Sequence, residues 1–210
     1  MNKNLINKLY KFVEITCKMY DIDESHSIKH SMDVFYYANK IYDDELKNNK
    51  GMDKYKNIID IASILHDMCD KKYMDENEGI NRIEKVIENE ITKNEIDIIK
   101  NIILTMSYST VKKNGYPNLG EYQIAYHIVR EADLLTSYDF ERCVIYKMMK
   151  TNENYLGSIS DALEVFNNRV LRYDDDNLFV TNYSKKECKK LKEEAIIKIN
   201  NYRNLIEIWK

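Results

Sequence analysis

The chain has 210 residues, 44% hydrophobic and 32% charged, with a formal net charge of −3. That length suits one domain with a substantial core, and mixed charges of small net sign exclude the broad basic footprint of a general nucleic-acid binder. Five glycines and one proline predict long helices joined by few tight turns.

In chain order, Leu5, Leu9, Phe12, Val13, Cys17 and Tyr20 recur at helical spacing and predict a first helix with one face on the core. The polar stretch Asp21 to Ser25 carries cap-type residues that end this helix and start the next. A second helix is expected from about Ser27 to Leu46, on which His26 and His30, four apart, share a face if both are helical. After a polar loop with Gly51, Asp53 reads as the N-cap of a third helix from Lys54 to His66. Ile58, Ile59, Ile61, Ala62, Ile64 and Leu65 make it apolar on most sides, hence central and buried. A loop from Met68 to Asn77 leads to a fourth, surface helix carrying Ile80, Ile83, Val86, Ile87 and Ile91. Thr92 with Glu95 forms a capping box for a fifth, which is expected to run to about Tyr108. Residues 109–120 are expected as loop. A sixth helix from about Glu121 holds Asp133 inside an apolar stretch, and a seventh runs from Phe140 to Met149. An eighth spans Ile159 to Leu171, Asp174 to Asn177 turn, and a last helix runs from Lys185 to Trp209.

This pattern predicts an all-α, single-domain globule over residues 1–210, with core motifs in roughly 20–145 and C-terminal helices 150–210 packing on it. Cys17, Cys69, Cys143 and Cys188 form no CxxC pair and read as reduced thiols of a cytoplasmic protein. The opening Met1-Asn2-Lys3-Asn4-Leu5 has no apolar segment of signal-peptide type. No run approaches the ~18 apolar residues of a membrane span.

Polar groups break the apolar pattern at three places: His30, the adjacent His66 and Asp67, and Asp133. A carboxylate in such surroundings costs several kcal/mol unless it is paired or binds a metal. Each alone has a plain structural explanation, such as a hydrogen-bonded core histidine, or an aspartate paired with Arg130 or Arg142. Together, two imidazoles and two carboxylates on three helices suit one divalent ion and leave coordination positions open.

The order His30 … His66-Asp67 … Asp133 resembles the H…HD…D signature of the HD-domain metal-dependent phosphohydrolases. The local context is similar too. Ser25-His26-Ser27-Ile28-Lys29-His30 resembles the family's His-x-x-x-His opening. Ala62-Ser63-Ile64-Leu65-His66-Asp67-Met68-Cys69-Asp70-Lys71-Lys72-Tyr73 resembles the A-x-L-L-H-D-I-x-D-x-K-[FY] of its small nucleotide-hydrolysing branch, and Glu131-Ala132-Asp133-Leu134-Leu135 its ligand helix. Thr136 stands where that branch often has Asp.

The resemblance implies an HD-domain helical bundle whose single divalent metal ion (Mn²⁺, Mg²⁺ or Co²⁺) is held by His30, His66, Asp67 and Asp133. A metal-activated water would attack a phosphoester or phosphoanhydride of a small nucleotide-like substrate, as a nucleotide pyrophosphatase or nucleotidase does. Asp70 would orient or deprotonate that water, its alternative being a solvated helix-end carboxylate. His26 would bind a phosphate oxygen or protonate the leaving group; otherwise it is a surface histidine. Lys72, Arg142 and Arg169 are the candidate substrate cations, with solvated side chains as the alternative. Ser107 and Ser109 are candidate pocket hydroxyls, with plain loop chemistry as the alternative, and the seventeen tyrosines offer surfaces on which a base can stack, most of them being core or surface packing. His127 is the only histidine between the His-Asp pair and Asp133, which favours a mononuclear site over oxygenase chemistry. The competing readings are a non-catalytic HD module that binds metal or nucleotide, and a helical scaffold without metal. The region beyond about residue 150 is left to the pocket's far wall or to a homodimer contact.

Overall fold

Side-chain caps set most of the helix starts in the computed structural model, which describes residues 2–151 and 154–208. α1 (Lys3–Met19) begins where Asn2 accepts the Leu5 amide (2.8 Å). α2 (Ile28–Asn48) follows a 3₁₀ turn at Glu24–His26. α3 (Lys56–Leu65) follows a second such turn, Met52–Tyr55. Asp75 caps α4 (Glu76–Ile87), and the expected Thr92–Glu95 capping box starts α5 (Lys93–Thr105). α6 (Tyr108–Asn114) is capped by Ser107, and α7 spans Gln123–Thr136. α8 (Phe140–Thr151), α9 (Tyr155–Asn168) and α10 (Asn182–Ile208) complete ten α-helices, with no strand among the described residues. The all-α, single-domain expectation therefore holds.

The most apolar stretch of the sequence becomes the buried axis. Ile58, Ile59, Ile61, Ala62, Ile64 and Leu65 of α3 are all buried, each large one contributing about 1.5–3 kcal/mol. α2, α5 and α7 pack against α3, and α7 also lies along α2. α10 closes the far side of α7, anchored by the buried Glu131, whose carboxylate accepts the Val180 amide (2.7 Å), the Thr181 amide (3.1 Å) and the Thr181 hydroxyl (2.7 Å).

Several boundaries differ from the sequence reading. Residues 109–120 are not all loop: Ser107 accepts the Thr110 amide, Val111 anchors the turn, and α6 ends at Gly115 (φ 75°), a conformation only glycine adopts readily. The adjacent Lys112 and Lys113 face solvent and concealed this helix. α5 consequently stops at Thr105, short of Tyr108. Asp53 is not an N-cap; it lies within the 3₁₀ turn and accepts the Tyr42 hydroxyl (3.2 Å). α9 starts at Tyr155, not Ile159, under an Asn154 cap, and α10 starts at Asn182, not Lys185. The expected end of the last helix, Trp209, lies outside the described residues. No helix among the described residues is long and apolar enough to cross a membrane.

Candidate metal centre and its cleft

The ends of three packed helices bring the polar exceptions together. His30 lies in the first turn of α2, His66 caps α3 with Asp67 directly after it, and Asp133 lies in the last turn of α7. The two imidazole Nε2 atoms are 3.0 Å apart. Asp67 Oδ2 is 3.3 Å from each of them, and Asp133 Oδ1 is 3.4 Å from His30 Nε2 and 3.9 Å from His66 Nε2. One ligand atom each from His30, His66 and Asp133 falls within 4.8 Å of the others.

Hydrogen bonding on the outer side of each ring decides what faces inward. His66 Nδ1 is 2.9 Å from the Ser63 carbonyl and therefore carries a proton donated to it. The Thr136 hydroxyl donates to the Asp133 carbonyl (2.7 Å), so toward His30 Nδ1, 3.4 Å away, it can only accept. With both Nδ1 atoms engaged outward, the two rings turn Nε2 toward each other and toward Asp133, and Asp67 Oδ2 borders both Nε2 atoms. Four lone-pair-bearing atoms cannot satisfy one another; a proton or a cation belongs between them. Asp67 Oδ2 is buried without a hydrogen-bond partner, as a ligand atom directed at a cation would be.

The electrostatics agree. Burial opposes charge at every member, yet the neighbouring imidazoles hold Asp67 and Asp133 well below the usual carboxylate range. Burial likewise opposes protonation of His66, but Asp67 and Asp133 outweigh it and push that imidazole up to about 9. Burial, with Arg142 nearby, holds His30 below its ordinary value. The pair accommodates one positive charge and resists a second.

This cluster forms the floor of a cleft of about 410 Å³, within the range of small-molecule sites. All nine residues singled out from the sequence (His26, His30, His66, Asp67, Asp70, Lys72, Asp133, Arg142 and Arg169) line it, as do Ser107 and Ser109. α9, beyond residue 150, supplies the far wall through Val165, Phe166 and the adjoining Arg169. His127 is elsewhere, beside Tyr116 and Tyr126, and burial with Arg130 lowers it to about 4. Neither arginine suggested as a partner for Asp133 pairs with it. Arg130 donates to the Leu178 carbonyl (2.8 Å) and Arg142 to the Ser25 carbonyl (3.0 Å).

His26 is in the 3₁₀ turn, not on α2, but its ring still meets that of His30 with centroids 5.9 Å apart. The hydroxyls of Ser25 and Tyr73 both donate to Asp23, so both accept toward His26 Nδ1, at 2.6 and 3.1 Å. His26 Nε2 is then free to accept from Lys72 Nζ (3.3 Å). Asp23 is buried, but the nearby His26 (3.9 Å) and hydrogen bonds from Ser25 and Tyr73 keep its carboxyl below the usual range. Asp70 lines the cleft with its carboxylate engaged by Lys72, accepting the Lys72 amide (2.9 Å) and pairing with Nζ (2.8 Å). Burial opposes the Lys72 charge, but Asp70 and Asp67 raise its affinity for a proton.

Asp23 and Thr136 were not identified from the sequence as working parts. The only available signals were the cap-type run before His26 and a threonine three residues after Asp133. Protein-family models, curated proteins and solved structures yield no match to this chain.

Proposed function

We propose that the protein is a metal-dependent phosphohydrolase of the HD type, acting on a nucleotide or similar small phosphate ester or anhydride. The observation that carries this reading is the convergence of two Nε2 lone pairs and two carboxylate oxygens, with both Nδ1 protons committed outward, at the floor of a cleft lined by Lys72, Arg142 and Arg169. His30, His66, Asp67 and Asp133 would hold one divalent ion, with Mn²⁺, Mg²⁺ or Co²⁺ compatible with mixed nitrogen and oxygen donors. A divalent ion in such a site supplies Lewis-acid polarisation of a phosphate oxygen and acidifies bound water.

The chain's own residues supply the rest. Arg142, anchored on the Ser25 carbonyl, presents a fixed guanidinium to a phosphoryl group. Lys72, placed between Asp70 and His26 Nε2, adds a point charge. His26 holds its Nδ1 proton toward Ser25 and Tyr73, with Asp23 behind them. It can therefore take up a proton at Nε2 and deliver it to a leaving oxygen. Asp70, once Lys72 turns to the substrate, is the carboxylate available to orient water.

The test is release of phosphate or pyrophosphate from a nucleotide panel by purified protein with Mn²⁺, with chelator as control. Chelator-sensitive release supports the reading; no release from any nucleotide by metal-loaded protein would sink it. The Asp70–Lys72 ion pair favours one second reading, a binding module without turnover, because it occupies the only candidate base. Saturable nucleotide binding with no product would establish that alternative.

A further inference from the structure

Resting on the phosphohydrolase reading of the cleft, we infer that the substrate carries two anionic groups and is held through its phosphates, not by base stacking, with Arg169 as the receptor for the second anion.

Apart from the exposed Lys71, the cleft's lysines and arginines fall into two kinds. Lys72 is neutralised by Asp70 at 2.8 Å, and Lys147 pairs with Asp161 at 3.6 Å. Arg142 and Arg169 have no carboxylate partner among the described residues; each is held by neutral groups instead. Arg169 Nε donates to the Tyr173 hydroxyl (2.9 Å), and its guanidinium carbon lies 4.1 Å from the centre of the Tyr108 ring. Cation–π stacking and a neutral acceptor fix the guanidinium while leaving its charge uncompensated. That is how a pre-organised anion receptor is built. Tyr173 is fully buried, and its hydroxyl also neighbours Ser137, which donates to the Asp133 carbonyl (3.3 Å). Arg169 is thereby tied to the same element that carries the metal-site carboxylate. One phosphoryl group at the floor engages Arg142, and a second anion is needed to satisfy Arg169.

The aromatic rings point the same way. Three tyrosines line the cleft: Tyr108, Tyr146 and Tyr173. Tyr108 carries Arg169 and, at 5.6 Å, Lys112. Tyr146 carries Lys72 at 5.5 Å and meets the His26 ring at 5.3 Å. Tyr173 is buried and faces Arg169. On this reading the tyrosines of the cleft seat cations and do not stack a base.

Calorimetric titration tests this with non-hydrolysable probes, on full-length protein loaded with Mn²⁺ and desalted. Methylenediphosphonate is expected to bind at least about tenfold more tightly than methylphosphonate, a difference of about 1.4 kcal/mol. Adenosine is expected to displace neither. Arg169→Gln should narrow the ratio to about twofold or less, with helical content unchanged by circular dichroism. If that variant misfolds, the wild-type ratio and the adenosine competition decide the matter. Equal affinity for the two phosphonates, displacement by adenosine, or a ratio preserved in R169Q overturns the inference. Because the probes are not cleaved, selective binding with no nucleotide hydrolysis would refute the phosphohydrolase reading alone. Hydrolysis with unselective binding would refute this inference alone.

Discussion

Replacing Thr136 with Val tests how the candidate metal site is oriented. Valine preserves the shape of threonine but removes the hydroxyl oxygen that faces His30 Nδ1 at 3.4 Å. With no acceptor there, the neutral ring is free to carry its proton on Nε2, the atom that must present a lone pair to the ion. Losing an outer partner of a ligating histidine typically weakens metal binding about 10–100-fold. The separation is longer than a good N–H···O bond, so the low end applies: about tenfold, or about 1.4 kcal/mol. The folding cost should stay near 1 kcal/mol, because the Asp133 carbonyl keeps the Ser137 hydroxyl as a donor at 3.3 Å. Mn²⁺ titration followed by calorimetry reads the effect, with Thr136→Ser as the hydroxyl-retaining control. An unchanged Kd in T136V, or an equal loss in T136S, would refute the tautomer argument.

Two other perturbations probe the frame around the site. A Cβ built on Gly79 would lie 2.6 Å from Cys69 Cα, a backbone atom that cannot rotate away. Gly79→Ala should therefore cost about 1–3 kcal/mol and lower the urea midpoint of unfolding; an unchanged midpoint would show that α4 can shift freely. Asp23 titrates below its ordinary value in the folded chain, so its stabilising contribution is present above about pH 4 and is lost as pH falls toward the folded pKa. Urea unfolding of Asp23→Asn should show a shallower loss of stability below about pH 4 than wild type, and parallel curves would contradict the hydrogen-bonded ionised state of Asp23.

What could be read in advance follows from how locally each feature is encoded. The run Ile58 to Leu65 could only be a buried helix, and a histidine and an aspartate at its end stood out because burying them is costly. Residues whose polarity conflicts with their neighbours are visible in one dimension, which is how His30, His66, Asp67 and Asp133 stood out; His26, Asp70, Lys72, Arg142 and Arg169, which line the same cleft, carry no such conflict and were nominated beside the family resemblance. The roles of Thr136, Asp23 and Tyr173 escaped notice because they act through geometry. A hydroxyl that accepts from His30, a carboxylate that aligns two hydroxyls against His26, and a phenol that holds Arg169 are ordinary residues in ordinary sequence contexts. α6 was hidden for a related reason: a seven-residue helix with one buried anchor, Val111, has no apolar period to detect. The use of the cleft's tyrosines to seat cations depends on contacts between separate helices, which no spacing rule reports.

On the proposed function, His30, His66, Asp67 and Asp133 hold one divalent ion on which hydrolysis depends. Metal content and phosphate release, measured together on wild type and Asp67→Ala, test it most directly. Asp67 lies just beyond α3 and is a partner in no helix cap, so its removal should spare the fold. The wild-type chain should carry one Mn²⁺ and show chelator-sensitive phosphate release. D67A should lose both, with circular dichroism unchanged. Wild-type rates of release from metal-free D67A protein would contradict it.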